Sequence, residues 1–160
     1  MDRELDVIDR RILKELSANG RLSIVELATR VNLTNTPCSE RVKRLEKSGL
    51  IKGYRAVLDL KELGLGHLTV VQVSLAASAG ENSLDAFNAA VRRVPEIESC
   101  LMIAGSFDYL LTIRTRDIAE FRAVLGEKVN KLPGIQQTNS FTVIETVKSN
   151  EEYSGALQSS

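Results

Sequence analysis

Residues 22–51 encode two short amphipathic helices separated by a tight turn, and this pair constrains the fold more than any other stretch of the chain. Ser23 is placed to cap the first helix, with Glu26 three positions on as its capping-box partner. Ile24, Leu27, Ala28 and Val31 then recur at the spacing of one helical face. Asn32 reads as the stop, because Asn tolerates the left-handed conformation that follows many helices. The second helix is predicted to begin at Thr36–Pro37. Thr36 can accept from free backbone N–H groups, and Pro37 suits a first helical position, where its missing donor costs nothing. Cys38, Val42 and Leu45 fall on an inward face. Glu40, Lys43, Arg44 and Lys47 lie opposite, with Ser39 and Arg41 on the flanks. Gly49, just after Lys47-Ser48, ends the helix.

A third helix precedes the pair, its buried stripe made by Leu5, Ile8, Ile12, Leu13 and Leu16 and its end marked by Asn19-Gly20. Residues 50–58 suggest a short extended segment. Three helices and such a segment make a winged-helix-like helix-turn-helix unit. Charge is segregated along the chain. Between Arg30 and Arg55 there are seven Lys or Arg against two acids, although the whole chain carries 21 of each sign. A charged helix face is ordinarily just a solvated one. Here the motif and the local positive excess coincide, which is the footprint of phosphate binding. Double-stranded DNA is therefore the expected partner. Arg41, Lys43, Arg44 and Lys47 are expected to contact phosphates or bases, and Thr34, Asn35, Thr36, Ser39 and Glu40 to approach base edges. Arginine forks onto guanine better than lysine does, so Arg41 or Arg44 is the expected specificity reader.

The periodicity changes after Lys61-Glu-Leu-Gly-Leu-Gly66, which reads as a hinge. The expected division is a DNA-binding domain over 1–53, a linker strand and hinge over 54–66, a second domain over 67–150, and a polar tail over 151–160. In the second domain Leu68–Leu75 alternates as a strand. Ser83 is placed to cap a helix carrying Leu84, Phe87, Val91 and Val94. Strands follow at Ile97–Ala104 and Tyr109–Arg114. The next helix carries Ile118, Phe121, Val124, Leu125, Val129 and Leu132, and a long strand over Ile135–Val147 closes the domain. The order β-α-β-β-α-β is the ferredoxin-like arrangement, so the chain as a whole is of the α+β class. A four-stranded sheet with both helices on one side leaves its other face bare. Val70, Met102, Ala104, Leu110 and Ile144 are assigned there, and an apolar bare face points to self-association.

Other chemistries find little support. No Gly-rich phosphate loop, Cys-x-x-Cys pair or His-x-x-x-His spacing occurs, so neither a metal site nor an enzyme is expected. The one histidine, His67, starts a strand, where a structural role is commoner than a catalytic one. Cys38 and Cys100 sit on apolar faces and read as buried thiols of a reducing cytosol rather than a disulfide. Cys38 also has the weaker reading of a redox sensor at a helix N-terminus. No stretch is long and apolar enough for a membrane span, and the N-terminus has no signal-peptide core. Asp108, framed by Phe107 and Tyr109, is either a turn former or a polar contact in a ligand site; the residues alone leave both open.

Taken in order, Leu5-Asp-Val-Ile-Asp-Arg-Arg-Ile-Leu13, Leu33-Thr-Asn-Thr-Pro-Cys-Ser-Glu-Arg-Val-Lys-Arg-Leu-Glu46, Gly49-Leu-Ile-Lys-Gly-Tyr54, Gly105-Ser-Phe-Asp-Tyr-Leu-Leu111 and Leu132-Pro-Gly-Ile135 resemble the Lrp/AsnC, or feast/famine, transcription regulators. The resemblance spans roughly residues 5–150 and is closest to the leucine-responsive branch. It implies an amino-acid-sensing βαββαβ module, dimers that assemble into octamers able to wrap DNA, and location on the nucleoid in the cytoplasm. It also implies an amino-acid effector held at Gly105, Ser106, Phe107, Asp108 and Tyr109. The family pattern there is Gly-Asp-[Phe/Tyr]-Asp-Tyr, and Ser106 stands where the first acid belongs. Two alternatives to a ligand-responsive regulator stay open: an architectural DNA-wrapping protein with no ligand, and a regulatory subunit of an enzyme.

Overall fold

The computed structural model describes residues 5–76 and 81–149. They form two compact units: Leu58–Thr146 is one, and the described residues on either side of that stretch make the other.

The first unit holds α1 (Val7–Ala18), α2 (Ile24–Arg30) and α3 (Asn35–Lys47). Asp6 caps α1 by accepting the Asp9 N–H at 2.8 Å. The predicted capping box of α2 is complete. Ser23 Oγ accepts from the Glu26 N–H at 3.2 Å, and the Glu26 carboxylate accepts from the Ser23 N–H at 2.9 Å. The α2 stop also falls where expected, with Asn32 at φ 57°. There the Leu33 N–H reaches back to the Ala28 carbonyl at 2.9 Å and the Asn32 N–H to that of Thr29 at 3.4 Å, the pairing of a Schellman end. The α3 start differs from the sequence reading. Thr34, not Thr36, occupies the cap position, and Pro37 is the third helical residue. The first turn's N–H groups have no intrahelical acceptor, so a proline there forfeits no bond. Ile12 from α1, Leu27, Ala28 and Val31 from α2 and its end, and Cys38, Val42 and Leu45 from α3 close the core. Residues 50–58 take part in no ladder among the described residues, so the expected strand is absent. A lone extended segment has nothing within this unit to pair with.

The second unit is built on a sheet of β1 (His67–Leu75), β2 (Ile97–Met102), β3 (Tyr109–Thr115) and β4 (Ile135–Thr142), in the order β2-β3-β1-β4. All three pairings are antiparallel. α4 (Glu81–Val91) and α5 (Ile118–Glu127) supply the helices of the expected βαββαβ order. Val71 and Val73 of β1 and Leu111 and Ile113 of β3 point to the core. They meet Phe87 and Val91 of α4 and Phe121 and Val124 of α5 there. Each edge strand carries one extra residue: Glu98 interrupts the β2–β3 register, and Gln136 interrupts that of β4 with β1.

Four local expectations are corrected. α4 begins at Glu81, so Ser83 lies inside its first turn rather than capping it. α5 ends at Glu127, and Val129 and Leu132 reach the core from a separate 3-10 turn (Val129–Lys131) and the residue after it. β4 ends at Thr142, although the Val143 N–H still donates to the Leu68 carbonyl at 2.9 Å. Met102 pairs with the core residue Tyr109 and so shares its side of the sheet, while Leu101, paired with Leu110, takes the bare face. There it joins Val70 and Phe141, which lie opposite each other across β1 and β4. Ala104 and Ile144 lie beyond the strand ends. The tail over 151–160 lies outside the described residues.

Candidate nucleic-acid interface and effector loop

α3 buries Cys38, Val42 and Leu45 and turns Thr36, Glu40, Lys43 and Lys47 outward as one exposed row. Thr34 and Asn35 are exposed at its start, and Ser39 is half-buried on the flank. Arg41 and Arg44 lie toward α1. Arg41 Nη1 contacts Asp6 Oδ2 at 2.5 Å and Asp9 Oδ1 at 2.8 Å. Arg44 Nη2 contacts both Asp9 oxygens at 2.6 Å. Asp9 is only 3% exposed, an acid on the apolar side of α1 that the sequence reading left unassigned. The N–H of Asp9 and then the Arg41 guanidinium hold the Asp6 carboxyl below the usual aspartate range.

Three of the seven cations between Arg30 and Arg55 are thus matched by acids of the first helical segment, since Arg30 also pairs with Glu15 at 2.9 Å. Those acids lie outside the sequence window that made the region look so positive. Lys43, Lys47, Lys52 and Arg55 make no ion pair among the described residues. Glu46, one of the two acids in the window, accepts the Tyr54 hydroxyl at 2.9 Å. Burial, with Glu46 second, raises the Tyr54 pKa.

The segment expected to hold an effector joins β2 to β3. Gly105 and Ser106 are exposed, and Phe107 and Asp108 are half-buried. Asp108 ties the loop to β1: its Oδ2 accepts the Leu75 N–H at 2.7 Å, and its own N–H donates to the Val73 carbonyl at 2.9 Å. The carboxylate contact spans 33 residues, a tie to a neighbouring strand and not a contact within the turn. Tyr109 points away from the loop surface into the core, its ring centroid 4.4 Å from that of Phe87. Burial is the main cause that pushes its hydroxyl pKa up. Two cavities of the described residues lie elsewhere. One of about 340 Å³ runs between α1 and residues 50–54, and one of about 260 Å³ between α4 and β2.

His67 contacts the Thr69 hydroxyl at 3.1 Å and lies 6.0 Å from the Phe121 ring. Burial raises the pKa of the Cys38 and Cys100 thiols, which opposes the activation a helix N-terminus would give Cys38. Among the described residues no group of three or more His, Cys, Asp or Glu could hold a metal ion, and no helix is long and apolar enough to cross a membrane.

Comparison with known proteins matches both units. A winged helix-turn-helix DNA-binding model matches residues 5–52, and an Lrp/AsnC ligand binding domain model matches residues 69–153. A proline dehydrogenase transcriptional activator of Rhodobacter capsulatus is 50% identical over 143 residues, covering 89% of this chain and 92% of that protein. The leucine-responsive regulatory protein of Escherichia coli K12 is 44% identical over 146 residues, covering 91% and 88%. Among solved structures, a transcriptional regulator of Neisseria meningitidis in complex with L-Met superposes with a TM-score of 0.86 at 34% identity, covering 91% of this chain and 94% of that one.

Proposed function

The chain belongs to the Lrp/AsnC family of transcription regulators, and on that premise we propose how it works. It binds double-stranded DNA through the outward row of α3. A free amino acid, bound at residues 105–109, changes its affinity for DNA or its assembly state. The observation that carries the DNA half is the row itself: Thr36, Glu40, Lys43 and Lys47 lie exposed along one side of a helix whose opposite side is locked into a core. Thr34, Asn35 and Ser39 stand at the helix start, where a recognition helix presents its base-reading residues. Arg41 and Arg44 lie beside this row on its α1 side, paired with Asp6 and Asp9.

The effector half is supported by the Neisseria relative, whose structure was solved with L-Met, and by the exposed Gly105-Ser106 edge of the loop. The Rhodobacter relative's role as a proline dehydrogenase activator makes proline the first amino acid to try. The division into a DNA-binding domain over 1–53, a linker over 54–66 and a sensing and assembly domain over 67–150 is part of the same proposal. So is self-association through the bare sheet face into dimers and octamers on the nucleoid.

A gel-shift titration tests this reading, using DNA from upstream of the chain's own gene with and without a mixture of the twenty amino acids. A shift altered by the mixture supports a ligand-responsive regulator. The architectural reading has one observation in its favour, Ser106 in place of the family's acid. A shift indifferent to the mixture, together with no heat in calorimetry against each amino acid, supports that reading. Absence of any shift at low salt, where phosphate contacts are strongest, overturns the DNA-binding proposal.

A further inference from the structure

We infer that Asp6 and Asp9 are positioning residues for the DNA-contacting helix: they hold Arg41 and Arg44 on α1, so that phosphate is neutralised by the lysines of the outward row and not by the two guanidinium groups. This rests on the reading of α3 as the DNA-contacting helix.

Asp9 is nearly fully buried and receives three charged contacts, one from Arg41 and two from Arg44. Asp6, at the cap of α1, takes a further contact from Arg41. All of this compensation comes from α3 among the described residues. Without Arg44 the buried Asp9 carboxylate keeps one contact, from the Arg41 nitrogen that it shares with Asp6, whereas an exposed phosphate contact returns little beyond counterion release. Moving Arg44 from Asp9 to a phosphate is therefore an unfavourable exchange. Lys43 and Lys47 are exposed and have no ion pair to break among the described residues. They are the cations that can reach DNA without an internal loss.

The arginines have a different task. A single nitrogen of Arg44, Nη2, sits between both oxygens of Asp9, so the carboxylate holds the tip of this side chain at one point on α1. Arg41 bridges Asp6 and Asp9, two carboxylates three residues apart on the start of α1. Together they set the rotation of α3 about its own axis relative to α1, and thereby which side chains form the outward row. The arginine expected to read guanine is committed to this clamp, so discrimination between bases passes to Thr36, Ser39, Glu40 and the lysines.

The test is the dependence of binding on salt, measured for the full chain and three variants on one duplex from upstream of its own gene. The slope of log affinity against log salt counts phosphates neutralised, about 0.9 for each. K43Q should give a slope shallower by about 0.9 for each copy of the chain on the duplex. R44Q removes a charge that is not on DNA, so its slope should equal that of the wild type even where affinity falls. D9N should steepen the slope, since it releases guanidinium groups to phosphate. A slope for R44Q as shallow as that of K43Q overturns the inference, as does an unchanged slope for folded D9N. If D9N does not fold, R44Q decides alone. An unchanged slope for K43Q would instead defeat the underlying reading of α3, a separate outcome.

Discussion

The carboxylate of Asp108 accepts the backbone N–H of Leu75 at 2.7 Å, which fastens the loop between β2 and β3 to the last residue of β1, an inner strand of the sheet. An ionised acceptor on a partly buried amide is among the stronger hydrogen bonds, contributing about 1.5–3 kcal/mol. Asp108→Ala should lower stability by about that amount, seen as a lower denaturation midpoint, and should abolish the response of DNA binding to an amino acid. Asp108→Asn keeps an oxygen acceptor and should recover most of the stability. If the Asn variant also recovers the full amino-acid response, the charge of Asp108 has no part in effector binding. An undiminished response in the Ala variant would move the effector site elsewhere.

The capping box at the start of α2 predicts a stability effect confined to the first unit. Ser23→Ala removes the acceptor for the Glu26 N–H and leaves the Glu26 carboxylate with the Ser23 N–H alone. The expected loss is about 1 kcal/mol, measurable as a downward shift in thermal unfolding. An unchanged melting temperature would mean that solvent replaces the cap at no cost.

Acid should loosen the first unit in a way that depends on Asp6. Its carboxyl titrates below the ordinary value of 3.8, first because the Asp9 N–H donates to it and then because Arg41 does. A depressed folded pKa means that the unfolded chain binds this proton more readily. The contribution is therefore present above the ordinary pKa and disappears as pH falls through the folded one. Asp6→Asn should be less stable than the wild type at neutral pH, and the gap should close below about pH 4. Denaturant titrations across that range give the comparison; parallel curves for the two proteins would show that Asp6 is not the group responsible.

Self-association through the bare sheet face predicts a clean separation of assembly from folding. Phe141 is 54% exposed on that face, opposite Val70, and Leu110 and Leu101 lie further along the same face on β3 and β2. Phe141→Asp places a charge where a second copy would have to bury it. Sedimentation velocity should show a smaller species with an unaltered far-UV spectrum. If the assembly sediments as before, the copies meet through another surface.

Much of this architecture was legible in the amino-acid order because its signals are local. The Ser23–Glu26 spacing, the Asn32 stop and the strict alternation of Val71 and Val73 each need only a few neighbours to be read, and each is where it was expected. The family resemblance rested on motifs of the same short kind. The start of α3 was misplaced by one such signal read too strictly: proline is tolerated anywhere in a first turn, not just at its first position. The partners of Arg41 and Arg44 were not legible at all. Asp6 and Asp9 lie 32–35 residues away, and no periodicity joins a carboxylate on one helix to a guanidinium two helices later. Charge summed over a window therefore overstated the free cations of the region. The same limit hid the Asp108–Leu75 contact, which spans 33 residues and gives a structural task to an acid read as a turn former or a ligand contact.

The extra residues Glu98 and Gln136 sit in the two outer strands of the sheet. Each throws its strand out of step where a further strand from another molecule would have to align with it, and Glu98 adds a charge bonded to Arg114 at 2.6 Å. Regular edges invite endless strand addition, and irregular ones discourage it. With both rims irregular in this way, open-ended strand addition along the sheet, the growth mode of amyloid, is disfavoured.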